Sequence, residues 1–144
     1  MTLNLLKTKP LLLSAVTVLI MFAFTSCAQK IRFANSSVVP SAEGTVKIKK
    51  DNNKNYNIDI DVIHLADPKR LSPPKEVYIV WMETDNTSAK NIGQIESSSS
   101  ILSSTLKGSI KTVSPIKPTK IFITAEDNAQ VQYPGTVILT TSSF

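Results

Sequence analysis

Residues 45–65 read TVKIKKDNNKNYNIDIDVIHL, and the spacing of their apolar side chains decides the fold. Val46 and Ile48 fall on one side, with Lys47 and Lys49 on the other. Tyr56, Ile58, Ile60 and Val62 then alternate with Asn57, Asp59 and Asp61. A repeat of two residues belongs to a half-buried strand, whereas a helix would bring apolar groups together every 3.6 residues. Between the two runs lies Asp51–Asn55 (DNNKN), a turn by composition, because Asn and Asp tolerate left-handed backbone and bond their own main chain. Opened by Gly44, the stretch reads as a hairpin with one face in a core and one in water.

Downstream, the same two-residue logic is interrupted by connections. Ala66–Lys75 (ADPKRLSPPK) holds three prolines, which remove ladder donors, so it reads as a crossing between sheets. Val77–Met82 (VYIVWM) is apolar on both faces and belongs in the middle of a sheet covered on each side. Asn86–Asn91 reads as a turn and Ile92–Ile95 as a short strand around Gly93. Ser97–Lys107 reads as an edge strand or a loop, and Thr112–Thr119, with Pro115 and Pro118, as another connection. Lys120–Glu126 (KIFITAE) and Thr136–Thr141 (TVILTT) are the last two strands, joined by a loop that ends in Pro134-Gly135. The expected architecture is all-β: an Ig-like antiparallel β-sandwich of about seven strands over residues 43–144. No helix of three turns can be placed, and no repeat has solenoid or propeller spacing.

The N-terminal part has a different character. Lys7 and Lys9 precede Leu11–Phe24 (LLLSAVTVLIMFAF), fourteen residues without a charge. A spanning helix needs about 20 apolar residues, so the run fits the apolar region of an export signal better; an uncleaved anchor helix reaching Ala28 is the alternative. Phe24-Thr25-Ser26-Cys27 resembles a bacterial lipobox, although the strict pattern has an aliphatic residue at the first position. The resemblance implies cleavage before Cys27 and a diacylglycerol thioether on its sulfur, with palmitate or a similar chain added. Each buried CH₂ contributes ~0.8 kcal/mol, and two or more chains hold a protein stably at a bilayer. The expected organisation is a signal over 1–26, a tether over 27–42 and the sandwich from 43.

The composition bounds the chemistry. Of 144 residues, 16 are Lys or Arg and 11 are Asp or Glu, with one His and one Cys. Loss of Lys7 and Lys9 with the signal takes the net charge from +5 to +3. A lone Cys excludes an internal disulfide and a Cys-rich metal cluster, and a lone His excludes a multi-His centre. No cofactor motif and no nucleic-acid motif is present. His64, with Asp61 and Asp67 three residues to either side, could form a base pair of the general-base kind, but strand parity points Asp61 and His64 apart, and no Gly-x-Ser-x-Gly elbow supplies a nucleophile. Asp51-x-Asn53-x-Asn55 copies the first three ligand positions of a calcium loop, then puts Tyr56 where Gly is needed and Val62 where Glu is needed. Asp59 and Asp61 stand two apart on a wet face and read as solvated polar groups.

With the strands set out, the second half resembles the extracytoplasmic C-terminal domain of anti-sigma-K factors. The resemblance rests on Tyr78-Ile79-Val80-Trp81-Met82, Ile92-Gly93-Gln94, Ile123-Thr124-Ala125-Glu126 and Pro134-Gly135-Thr136-Val137, and it covers about residues 76–140. It implies a β-sandwich outside the cytoplasm. Only 26 residues precede Cys27, which leaves no room for the family's cytoplasmic sigma-binding domain, so anti-sigma activity is not carried over. The family also has a residue between Pro and Gly, which leaves the Pro134-Gly135 turn open. On β parity Val77, Ile79 and Trp81 share one face, and Trp81 reads as a core plug with its indole N–H bonded to a loop; a sugar-stacking platform is the alternative. Glu126 reads as a strand-end carboxylate bonding nearby donors.

The expected function is that of a non-enzymatic envelope lipoprotein, held in a bacterial membrane by Cys27 and contacting an envelope protein through sheet edges or end loops. Lys30 and Arg32 just after the anchor point to a periplasm-facing site. The alternative is a lipoprotein that binds a glycan or cell-wall polymer through Tyr56, Tyr133 or Trp81.

Overall fold

The computed structural model describes residues 28–85, 87–99 and 106–144, with the backbone alone for 97–99. The signal segment 1–26 and the lipidation residue Cys27 lie outside them. Among the described residues nine strands follow in order: β1 (Gln29–Arg32), β2 (Glu43–Lys50), β3 (Tyr56–Leu65), β4 (Val77–Thr84), β5 (Thr87–Gln94), β6 (Glu96–Ser99), β7 (Leu106–Ser114), β8 (Lys120–Glu126) and β9 (Thr136–Thr140). They form two antiparallel sheets, ordered β1-β2-β3-β7-β6 and β5-β4-β8-β9. In immunoglobulin lettering β2 to β9 are A, B, C, C′, D, E, F and G, giving sheets A-B-E-D and C′-C-F-G. The chain is therefore an Ig-like β-sandwich, with β1 as an extra strand beside A.

The hairpin that decided the reading is present. β2 and β3 pair from Lys50↔Tyr56 at the turn to Glu43↔Ile63 at the open end. The Asp51 carboxylate accepts the N–H groups of Asn53 (2.8 Å) and Asn55 (2.9 Å), so the acidic residue organises the turn backbone. The alternation then delivers Val46, Ile58, Ile60 and Val62 to the inter-sheet core. Tyr78, Val80, Met82, Ile121, Ile123 and Leu139 meet them from the other sheet. Fully burying a Val, Leu or Ile side chain contributes about 1.5–3 kcal/mol, so this layer fixes which face of each strand turns inward. The expected crossing at residues 66–75 joins β3 to β4 and contains a 3₁₀ turn at Pro68–Arg70, capped by Asp67.

Three expectations are corrected. Residues 27–42 are not a free tether in their described part. Gln29–Arg32 pairs with β2, Ser36 Oγ accepts the N–H groups of Val38 and Val39, and Val39 and Ala42 are buried. Ile31 and Phe33 pack on the core from alternate positions, which is a strand signal too short to recognise in a polar stretch. The Asn86–Asn91 turn is replaced by β5 from Thr87 onward; Asn86 itself lies outside the described residues. Thr84 and Thr87 close the hairpin through their hydroxyls at 2.6 Å, and bulges after Val80 and Met82 break the alternation. Finally, Leu106–Ser114 is a strand inside the first sheet, paired with β3 along its length. The expected Thr112–Thr119 connection shortens to residues 115–119, and Ser97–Lys107 holds β6 and the start of β7, with 100–105 outside the described residues.

Candidate functional site

The outer face of the C′-C-F-G sheet carries a second, smaller core. Parity puts Ile79 and Trp81 of β4 and Phe122 of β8 on this face, and all three are buried. Trp81 is 0% exposed and lies parallel to Phe122, with ring centroids 6.3 Å apart and 11° between the planes. Its Nε1–H donates to Thr124 Oγ1 at 2.7 Å, so the partner is the neighbouring strand rather than a loop. What covers these rings is the 127–135 segment, through Ala129 and Val131. Trp81 is thus a plug, but outside the sandwich interior, and it has no exposed face to offer a sugar.

That covering segment is braced at several points. The Glu126 carboxylate, itself buried, accepts the Gly135 N–H at 2.6 Å. A Cβ on Gly135 would stand 2.8 Å from Glu126 Oε2, so any larger residue there would have to push the carboxylate aside. The Lys75 ammonium reaches both oxygens of Asp127 at 3.0 and 3.1 Å, and Asn91 of β5 donates to Ala129 O at 3.1 Å. On this fixed loop Tyr133 is 82% exposed, beside Pro134 and near Val137 at 44%. A rigid loop presenting an exposed aromatic is a contact surface whose ordering cost is met before a partner arrives.

The other singled-out residues do not assemble into a reactive centre. His64 occupies a left-handed position (φ 57) where β3 is irregular between Val62 and Leu65. The irregularity cancels the expected opposition of faces, since Asp61, Ile63 and His64 are all exposed. Even so, Asp67 Oδ1 accepts the Lys69 N–H and Asp61 approaches Lys47 at 3.6 Å, and neither is hydrogen-bonded to His64. Asp59 faces Lys47 and Lys111 across the ladder. Among the described residues no group of three or more potential ligands could hold a metal ion. A groove of about 660 Å³, open to solvent, runs along Arg32, Asn35, Glu43 and Asp61. Neither it nor the smaller groove at Ile63 and Lys107 is lined by Tyr56, Trp81 or Tyr133. Tyr56 lies half-buried beneath Lys50 at the hairpin turn, at the opposite end from Tyr133.

The two ends of the sandwich differ in charge and in chain geography. Gln29 pairs with Ile48, near the 51–55 turn, and β7 ends beside Tyr56. The 115–119 connection and the C-terminus, through the Phe144 N–H to Thr119 O bond, share that end. Lys49, Lys50, Lys54 and Lys117 belong to it, as do exposed Val113 and Ile116. Segments 66–76 and 127–135 lie at the far end, where Asp67, Glu76, Glu126 and Asp127 outnumber Lys69, Arg70 and Lys75 by one. Sequence reading missed this polarity because it depends on which strand ends the topology gathers. No family model, no curated protein and no solved structure matches the chain.

Proposed function

We propose that the chain is a lipid-anchored, non-enzymatic module of the bacterial cell envelope that holds a recognition surface away from the membrane. The observation that carries this reading is the position of β1. Strand pairing begins at Gln29, two residues after Cys27, so the backbone at an acylated Cys27 would lie within about 7 Å of the sandwich. The anchored end is then the lysine-rich one, and the braced 127–135 loop with Tyr133 stands at the other. Export and lipidation rest on the charged n-region, the apolar run and the Thr25-Ser26-Cys27 sequence. The partner is an envelope protein, engaged by Tyr133, Pro134 and the neighbouring loop 66–76.

The kinship with the extracytoplasmic domain of anti-sigma-K factors belongs to the same proposal. Its support is that the residues carrying the resemblance are bonded to one another: Trp81 to Thr124, and Glu126 to Gly135. A set of weak motifs that closes into one unit is more than a chance string. Glycan binding stays as a second reading on the strength of Tyr133 alone, whose exposed ring could stack on a sugar.

Palmitate labelling of the wild type and of Cys27→Ser tests the anchor: label enters the first and not the second, and equal uptake overturns it. A photo-crosslinking side chain at position 133 tests the surface. It should give one discrete adduct in intact envelopes that the same group at position 63 does not give. Equal patterns from both positions remove the proposed surface, and transfer of the label to polysaccharide favours the second reading.

A further inference from the structure

We propose that the lysine-rich end of the sandwich docks on the membrane itself, recognising a leaflet that contains anionic phospholipid. The inference rests on the lipid anchor proposed above and adds to it an oriented contact between protein and headgroups. With β1 beginning two residues after Cys27, an anchored domain has almost no slack, and the surface beside Gln29 must lie at the headgroups. That surface is basic. Lys49, Lys54 and Lys117 are exposed, and Lys50 lies over the Tyr56 ring at 5.5 Å.

The acidic residues nearby are largely committed elsewhere. Asp51 spends its carboxylate on two backbone N–H groups of the turn, and Glu83 approaches Lys120 at 3.6 Å. Asp85 is exposed and opposes the lysines at this end. Apolar groups complete the match. Val113 is 58% exposed and Ile116, next to Lys117 in the chain, 51%, groups suited to the boundary between headgroups and acyl chains. The far end carries one acidic group more than basic ones, so it offers an anionic leaflet no comparable attraction.

The test uses the full lipidated chain. Lipidation would consume the only native thiol, so a single introduced Cys takes a fluorophore at one place. The label is put at Ile116→Cys or at Tyr133→Cys, and the protein is incorporated into vesicles of phosphatidylethanolamine and phosphatidylglycerol carrying a spin-labelled quencher lipid. β3, ten residues long, spans about 33 Å between the two ends, whereas an interfacial group lies within ~10 Å of the acyl boundary. Quenching at 116 should therefore exceed that at 133 by at least about threefold. The excess should fall in about 1 M salt, where the screening length drops to about 3 Å. It should also fall in phosphatidylcholine vesicles and in the Lys49→Glu, Lys54→Glu, Lys117→Glu variant, which floats with the vesicles as before. Equal quenching at 116 and 133 in protein that floats overturns the docking and leaves the anchor standing, as does energy transfer between 116 labels on two copies of the chain. Protein that fails to float overturns the anchor and the docking together.

Discussion

Tyr78 takes a hydroxyl into the inter-sheet core and ends it on a backbone carbonyl. Its side chain is 3% exposed and the O–H donates to Ala66 O at 3.0 Å, tying the β3–β4 crossing to the strand it leads into. Burial, reinforced by the nearby Asp67 carboxylate, pushes the phenol up to about 12 from 10.0. The native state therefore holds this proton more tightly than the unfolded chain does. The resulting stability is fully present below pH 10 and is lost as pH rises towards 12, at up to about 1.4 kcal/mol per pH unit. Tyr78→Phe should cost about 1 kcal/mol at neutral pH, because the carbonyl loses its donor. It should also remove that part of the alkaline decline, so urea-unfolding curves of the two proteins converge above about pH 10. Parallel curves across the whole range would show that the phenol does not ionise with unfolding. Lys54 offers the opposite case. It sits at φ 67 in the hairpin turn, where a side chain with a long stem is disfavoured. Lys54→Asn, which tolerates left-handed backbone, should raise stability by about 0.5 kcal/mol in the same measurement.

At the scale of elements, β4 is the strand on which the rest depends, because both of its faces are buried by different partners. Tyr78, Val80 and Met82 meet the opposite sheet, while Ile79 and Trp81 meet the 127–135 loop. Trp81→Phe should cost about 2–4 kcal/mol, from lost packing and from a Thr124 hydroxyl left buried without its donor. Adding Thr124→Val should return part of that loss, since removing both partners is cheaper than removing one. A double-mutant cycle by chemical denaturation reads the coupling, and strict additivity would mean the 2.7 Å bond contributes nothing. The two-faced apolar run of β4 and the clean alternation of β3 were legible because every position carries its own signal. β7 was not, since its inward positions include Gly108 and Thr112. Gly108 is small because Ile95 fills the space: a Cβ there would run into the Ile95 side chain. The packing requirement that makes the strand thus erases its hydrophobic signature. β5 was hidden similarly, by two bulges and by Gly93 at φ 139, where a Cβ would come within 2.6 Å of Ile110. At the candidate surface, the sequence singled out Trp81, Glu126 and Gly135. Whether Trp81 or Tyr133 is exposed depends on where the 127–135 loop folds back, and no local pattern encodes that.

For the whole molecule, the question is whether two cores make two cooperative units. The inter-sheet core and the loop-covered cluster share β4 and β8, whose residues alternate between them: Val80 and Ile123 on one side, Trp81 and Phe122 on the other. Neither layer can be lost without dismantling strands that hold the other. The loop itself is tied to β4's flank by Lys75–Asp127 and to β5 by Asn91. Unfolding should therefore be two-state. The chain provides its own probe, because Trp81 is the only tryptophan and reports the outer cluster, while far-ultraviolet circular dichroism reports both sheets. The two signals should give one denaturant midpoint within error. Gly135→Ala, which brings a methyl to 2.8 Å from Glu126 Oε2, should shift both together by about 1–3 kcal/mol. An earlier midpoint for Trp81 than for the sheets would show that the covering loop peels away as a separate unit, and the Tyr133 surface would then be a mobile flap instead of a rigid platform.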